Sequence, residues 1–165
     1  MESPVTFRRT VRESDPEAVR EIVKSTGFFD AVPTEIECAV SDVRDTLEQG
    51  EEKSGSWYLF LERDGKTLGF ASYGGPVECT DRLFYMYWIA VHGDTRGKGY
   101  GKLLMREILG DIKARGARKV VLQTSGREQY VPTRMFYLAC GFKQEAEIAD
   151  YYQAGDSCCF FGIDF

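Results

Sequence analysis

"YWIAVHGDTRGKGYGKLLMREIL", Tyr87 to Leu109, is the stretch on which the reading of this chain turns. It begins as a continuous apolar run and breaks into alternate glycines among cations at Arg96, Gly97, Lys98, Gly99 and Gly101. It then resumes with apolar residues at the helical spacing of Leu104, Ile108 and Ile112. The pattern predicts a strand that enters a helix through a glycine turn. The first amides of a helix lack internal partners, and the macrodipole puts partial positive charge there. Glycines let the main chain approach a ligand without interference from Cβ. Arg96, Lys98 and Lys102 add full charges. Together these features describe a cradle for a pyrophosphate. A Walker loop would need G-x-x-x-x-G-K-[ST]. A dinucleotide fingerprint would need G-x-G-x-x-G early in a βαβ unit, and the spacing here is G-x-G-x-G, late in the chain. The glycines taken alone would also suit a solvent loop.

Outward from this junction, Val5 to Thr10 reads as a first strand. Ser14-Asp15-Pro16-Glu17 reads as a helix start, with Ala18, Ile22 and Val23 on its apolar face. Thr34 and Glu37 resemble a capping box for a second helix carrying Ile36, Val40, Val43 and Leu47 as far as Gly50. Trp57 to Arg63 and Thr67 to Tyr73 flank Asp64-Gly65, a two-residue hairpin signal. Leu83 to Val91 is apolar enough to predict a strand covered on both faces. A helix carrying Leu104, Ile108 and Ile112 ends before Gly116, and Lys119 to Thr124 forms the next strand. A short helix runs from Pro132 to Cys140 with Gly141 as its C-cap. Phe142 to Ile148 and Cys158 to Ile163 close as strands around Ala154-Gly155-Asp156. The order βααβββαβαββ, without repeats or a linker, predicts one mixed α and β domain over residues 1–165.

Composition narrows the class. A chain of 165 residues with 43% hydrophobic and 28% charged residues can bury a globular core. Leu83 to Val91 has half the length of a membrane helix, and MESPVTFRRT lacks the apolar core of a secretory signal. Five cysteines at irregular spacing and one histidine, His92, argue against a disulfide framework or a metal site. They favour a reducing, cytoplasmic setting. The net charge of −5 is unevenly spread. Arg96 to Lys119 holds eight Lys/Arg against two acids, and Asp30 to Glu52 holds eight Asp/Glu against Arg44 alone. Two solvated helix faces would account for both. An anion site and a cation-attracting wall would account for them equally well.

The junction also resembles the GNAT superfamily of acyl-CoA N-acyltransferases. Arg96, Gly99 and Gly101 match that family's R-x-x-G-x-G coenzyme A loop, and "FYLACGF", Phe136 to Phe142, matches its F-Y-x-x-x-G-F segment. The resemblance runs from about Tyr58 to Phe165, and the element order carries it to the N-terminus. It implies an α+β, three-layer fold with a central, mixed, mostly antiparallel twisted sheet of about seven strands. That sheet would be splayed between strands four and five and flanked by four helices. It further implies an acetyl-CoA-dependent N-acetyltransferase acting by direct attack of a primary amine in a ternary complex. No metal takes part in this reading. The acceptor would be a small molecule, an amino acid or a peptide N-terminus.

Carried over residue by residue, the main chain of Ile89, Ala90 and Val91 would hold the pantetheine arm and the acyl carbonyl. Arg96, Gly97, Lys98, Gly99, Tyr100, Gly101 and Lys102 would hold the pyrophosphate. Tyr137 matches the family's general acid, facing the coenzyme sulfur. Tyr130 stands where many relatives carry an asparagine on the pantetheine. Strand four offers Tyr85 and Tyr87 and no carboxylate, so the base is a water relay or Glu78. Tyr85, Tyr87 and Tyr151 are expected to bind the acceptor. The tail "DYYQAGDSCCFFGIDF" resembles the closing hairpin of relatives that acetylate protein N-termini or free amino acids, and an ordinary hairpin would look the same. His92 reads as a strand-end residue. A non-catalytic acyl-CoA-binding or sensor module is the alternative. A nucleic-acid surface fits poorly, because the basic segment lacks interleaved aromatics and the chain is acidic. No membrane partner is expected, and the chain would act as a monomer or homodimer.

Overall fold

The computed structural model describes residues 1–30 and 32–165. Its elements are β1 (Thr6–Arg8), α1 (Asp15–Ser25), α2 (Pro33–Gln49), α3 (Glu51–Ser54), β2 (Trp57–Arg63), β3 (Lys66–Gly74), β4 (Leu83–Val91), α4 (Tyr100–Ala114), β5 (Lys119–Ser125), α5 (Val131–Ala139), β6 (Lys143–Gln153) and β7 (Asp156–Asp164). Single 3-10 turns lie at Gly93–Thr95 and Glu128–Tyr130. The strands form one seven-stranded sheet in the order β1-β2-β3-β4-β5-β7-β6. Its β4–β5 pair is parallel, whereas β1–β2, β2–β3, β5–β7 and β6–β7 are antiparallel. This is the mixed sheet expected from the sequence. The single-turn α3 is an addition to the four expected helices.

The chain divides into two compact units, residues 1–74 with 87–110 and residues 75–86 with 111–165. In the first, α1 buries Val19, Ile22 and Val23 at helical spacing and α2 buries Ile36, Ala39, Val40 and Val43. Both stripes pack with Tyr58, Phe60 and Phe70 from β2 and β3. Each buried Val, Ile and Phe among them contributes about 1.5–3 kcal/mol. Pro16 opens α1, with Asp15 and Glu17 in its first turn and Lys24 in its last, as the macrodipole favours. Asp15 is itself fully buried. It accepts both terminal nitrogens of Arg8 at 2.8 Å and the Arg12 amide at 2.6 Å, while Arg8 Nε donates to Glu62 at 2.8 Å. This clamp ties β1 and β2 to the start of α1.

The capping box expected at Thr34 does not form. Pro33 starts α2 one residue earlier, with Val32 as N-cap and no side-chain cap bond. Glu37 instead accepts a forked interaction from Arg20 of α1 at 2.9–3.2 Å. The Asp64-Gly65 hairpin is as expected, both residues having positive φ (51° and 75°) in the manner of a type I′ turn.

In the second unit Phe84, Val120, Leu122, Phe142 and Phe161 are buried. β6 is a sheet edge exposed along its whole length. Lys143, Glu145, Glu147 and Asp150 on it discourage further strand addition. The expectation of a fourth strand covered on both faces needs correction. Only Phe84 and Met86 of β4 are buried, Tyr87 is 48% exposed, and the remainder is half-buried. β4 pairs with β5 at Leu83↔Lys119, Phe84↔Val120 and Tyr85↔Val121, and among the described residues has no β5 register partner beyond that point. An apolar run therefore does not imply double coverage here, since only two of its nine residues are fully enclosed.

Candidate active site

The glycine turn is built from its attachments inward. His92 donates its amide to the Leu68 carbonyl at 2.8 Å, ending the β3–β4 ladder, and its Nδ1 accepts the Asp94 amide at 3.2 Å. His92 therefore caps the Gly93–Thr95 turn, in keeping with a strand-end role. The Gly93 amide donates to Ser25 Oγ at 2.8 Å, and a Cβ on Gly93 would lie 2.4 Å from the Ser25 carbonyl oxygen. Arg96 donates to the Thr26 carbonyl at 2.5 Å. The C-terminal end of α1 is thus the anvil on which the turn is set.

Beyond it, Gly97 and Gly99 have φ of 79° and 77° with open space where a Cβ would point. Such positive-φ residues in a turn aim successive amides into one concavity. Leu103 donates to the Gly99 carbonyl at 3.1 Å, closing the first turn of α4, so the amides of Tyr100, Gly101 and Lys102 precede the first intrahelical bond. Tyr100 offers only its main chain. Its ring is buried, with the Arg63 guanidinium 5.2 Å from the ring centroid. Lys102 is exposed, and Lys98 reaches Glu2 at 3.2 Å. The Glu2 carboxyl lies below its ordinary range through its hydrogen bond to Lys98 and the nearby Arg63.

β4 leads directly into this turn. The Ala90 carbonyl oxygen would lie 3.0 Å from a Cβ on Gly69, and the His92 amide bonds to Leu68, so Ala90 and His92 turn main-chain groups toward β3. Strand alternation then puts those of Ile89 and Val91 on the opposite edge. Trp88 packs on Phe29 at 5.8 Å and Phe70 at 6.5 Å. Desolvation raises the Asp42 carboxyl, opposed by a hydrogen bond from Trp88. Burial and the charge of Asp42 also raise the Tyr87 phenol, so Tyr87 is no base at neutral pH.

In the second unit, Tyr85 donates to Gln123 Oε1 in a short hydrogen bond, and Gln123 donates to Tyr152 Oη at 3.2 Å. Tyr151 meets Tyr152 edge-on at 5.0 Å and Phe160 at 6.1 Å. Tyr137 is buried among Phe136, Phe142 and Phe161, and burial raises its phenol far above the ordinary value of 10.0. It stays protonated, as a proton donor must. Glu78 is exposed in the turn that Val77 closes by donating to the Leu83 carbonyl at 2.7 Å. Tyr130 is half-buried with the Arg127 guanidinium 5.7 Å from its ring centroid. Among the described residues no three His, Cys, Asp or Glu side chains gather as metal ligands, and no helix is long and apolar enough to cross a membrane.

The structure brings the residues from Ile89 to Lys102 together in the first unit, and Tyr85 and Tyr151 into one aromatic and polar cluster in the second. The resemblance put Asp150, Tyr151 and Tyr152 of the closing hairpin over the acceptor, whereas sequence reasoning missed Ser25 and Thr26, the pairing of Asp42 with Trp88, and Gln123. The missed residues are polar residues of ordinary helix ends and strands.

Residues 54–144, more than half of the chain, match the family model of the acetyltransferase (GNAT) domain. A GNAT-family crystal structure from Desulfovibrio desulfuricans is 36% identical, covers 98% of this chain and 99% of its own, and superposes with a TM-score of 0.92. The fold is shared with a ribosomal-protein-alanine N-acetyltransferase from Brucella melitensis (19% identity, 97% and 99% coverage, TM-score 0.76). It is shared as well with an aminoglycoside 6'-N-acetyltransferase in complex with coenzyme A (11%, 98% and 97%, 0.75).

Proposed function

Because the chain belongs to the GNAT family of acetyltransferases, we propose that it moves the acetyl group of acetyl-CoA to a primary amine within a ternary complex. One observation carries this reading. A partly uncovered β4 runs into a turn where two positive-φ glycines and the open N-terminus of α4 present amides beside Arg96, Lys98 and Lys102. Such a turn suits a diphosphate, and the outer edge of β4 suits the amide-bearing arm attached to it.

In this reading Ile89 and Val91 offer main-chain groups to the pantetheine and to the acyl carbonyl. An amide N–H aimed at that oxygen stabilises the negative charge it gains as the amine attacks. Holding both reactants on one strand supplies proximity. The C–N bond forms, the C–S bond breaks, and Tyr137 supplies a proton to the departing sulfur and regains one from water before the next turnover. The amine must arrive neutral, and its proton passes to water or to Glu78. The acidic helix α2, with Asp42 beside Trp88 of β4, favours a cationic acceptor: a polyamine, an amino acid or a peptide N-terminus.

The test is thiol release from acetyl-CoA with spermidine, phenethylamine, glycine amide and an alanyl tripeptide. Amine-dependent release with at least one acceptor is expected. Acetyl-CoA binding without release on any of them would favour the non-catalytic module instead. A preference for anionic amines across ionic strengths would remove the role of the acidic helix. An unchanged pH–rate profile in Glu78→Gln would assign the base to water.

A further inference from the structure

We propose that Gln123 and Tyr152 are positioning residues that hold the Tyr85 phenol as a fixed wall of the acceptor-amine site, and that the kink at Asp150 delivers Tyr152 to that task. The proposal rests on the transferase reading above and on the sequence-based expectation that Tyr85 binds the acceptor, and every group in it lies within the second unit.

Tyr85 occupies the last β4 position paired with β5, opposite Val121. One step further on the same face of β5 stands Gln123, so the Tyr85–Gln123 hydrogen bond continues the link between the strands after the backbone ladder stops. Gln123 is held in turn. Its Nε2 donates to Tyr152 Oη at 3.2 Å, and Tyr152 Oη lies 3.5 Å from Cys158 Sγ. Phe160 and Cys158 of β7 are the register partners of Gln123 and Ser125, so these groups share one face of the sheet.

Tyr152 reaches that face through an irregularity. Consecutive strand residues normally point to opposite faces. Yet Tyr151 packs on Phe160 and Tyr152 bonds to Gln123, and the two rings meet at 5.0 Å. The β6–β7 register breaks between Ile148 and Gln153, and Asp150 within the break has φ 52°. A non-glycine residue in that region is uncommon, and bulges of this kind re-aim side chains beside functional sites. The Asp150 carboxylate pins the bulge by accepting the Gly155 amide at 2.7 Å. Both tyrosines remain 44–47% exposed, so neither was turned inward to complete a core.

Burial pushes the Tyr152 phenol and the Cys158 thiol above their ordinary values. Both remain protonated at neutral pH, so the chain Tyr85–Gln123–Tyr152–Cys158 is a row of fixed dipoles. It orients Tyr85 and relays no proton. A phenol fixed before the amine arrives loses no rotational freedom on binding.

The experiment is a double-mutant cycle on the full chain, using the best of the four panel amines. Tyr152→Phe keeps the ring and removes the hydroxyl, and Gln123→Leu removes the middle of the chain. Each should lower kcat/KM for the amine about 10-fold, with the KM for acetyl-CoA unchanged. Neither loss should add to that of Tyr85→Phe, since both act through Tyr85. Additive losses, an unchanged amine kcat/KM, or a shift confined to the acetyl-CoA KM would overturn the proposal. Tyrosine ring-carbon NMR gives a readout independent of turnover, in which Tyr152→Phe should shift the Tyr85 resonance. A wild-type chain that acetylates none of the amines while that resonance moves refutes the transferase reading and overturns the acceptor role of Tyr85, leaving only its link to Gln123 and Tyr152. A resonance that does not move overturns the buttress whatever the turnover.

Discussion

Tyr137, proposed above as the proton donor, is a buried phenol. Ringed by Phe136, Phe142 and Phe161, it resists ionisation, because burial disfavours its charged form. It can donate a proton or a hydrogen bond throughout the neutral range and cannot act as a base there. Tyr137→Phe should lower kcat about 10²-fold, the lower end of general-acid effects, because a thiolate already leaves well. The KM for acetyl-CoA should hold. In the wild type, kcat should show no basic limb from Tyr137 below pH about 10. Steady-state kinetics of both proteins across pH would check this. A variant with unchanged kcat would reduce Tyr137 to a packing residue.

At the scale of elements, the turn between β4 and α4 works because its two ends are fixed and its middle is open. The end of α1 holds Gly93 and Arg96, while Gly97 and Gly99 supply the positive φ that aims amides outward. An alanine would find room at Gly97 and Gly99, so a substitution there tests conformation and not sterics. The left-handed backbone costs a residue with Cβ roughly 1–2 kcal/mol. Gly99→Ala should therefore raise the KM for acetyl-CoA about 10-fold and leave kcat at saturation nearly unchanged. Isothermal titration with coenzyme A would report the same loss as weaker binding. Equal affinity in variant and wild type would mean that the amides are not the anion's partners.

For the whole molecule, two expectations follow from buried polar groups. The Arg8–Asp15–Glu62 clamp is enclosed, so Asp15→Ala strips the buried Arg8 guanidinium of one of its two carboxylate partners and should lower the unfolding free energy by about 1–3 kcal/mol in urea melts. Replacing Arg8 and Asp15 together with Met and Leu should recover much of that loss. The second concerns alkali. Burial raises Tyr58 and Tyr137 above their ordinary value of 10.0. Above that pH the unfolded chain has released phenolic protons that the folded chain retains, so the folded state binds more protons and stability falls as pH rises. Stability should be insensitive to these groups below pH about 10 and decline beyond it, with their phenolate absorbance appearing in step with unfolding. Tyr58 and Tyr137 ionising in the still-folded protein would contradict this burial.

Much of this was legible in the sequence, because it is local chemistry. Proline at a helix start, Asp64-Gly65 at a hairpin, Ile22 and Val23 on the first helix (where Val19 and not the expected Ala18 completes the buried face), and glycines among cations each act over a few residues, so each is visible in one dimension. The glycine turn belongs to this class, as a strand, a glycine run and a helix start that follow one another directly. Thr34 and Glu37 show where local reading fails, since a proline one position earlier and an arginine on another helix took over both residues. The tertiary structure alone decided that β4 stays partly open, that Asp42 stands beside Trp88, and that Gln123 and Tyr152 reach Tyr85. Those outcomes depend on where one strand stops pairing and on which distant side chains a bulge turns to the same face. Contacts between residues far apart in the chain arise only once the sheet has assembled.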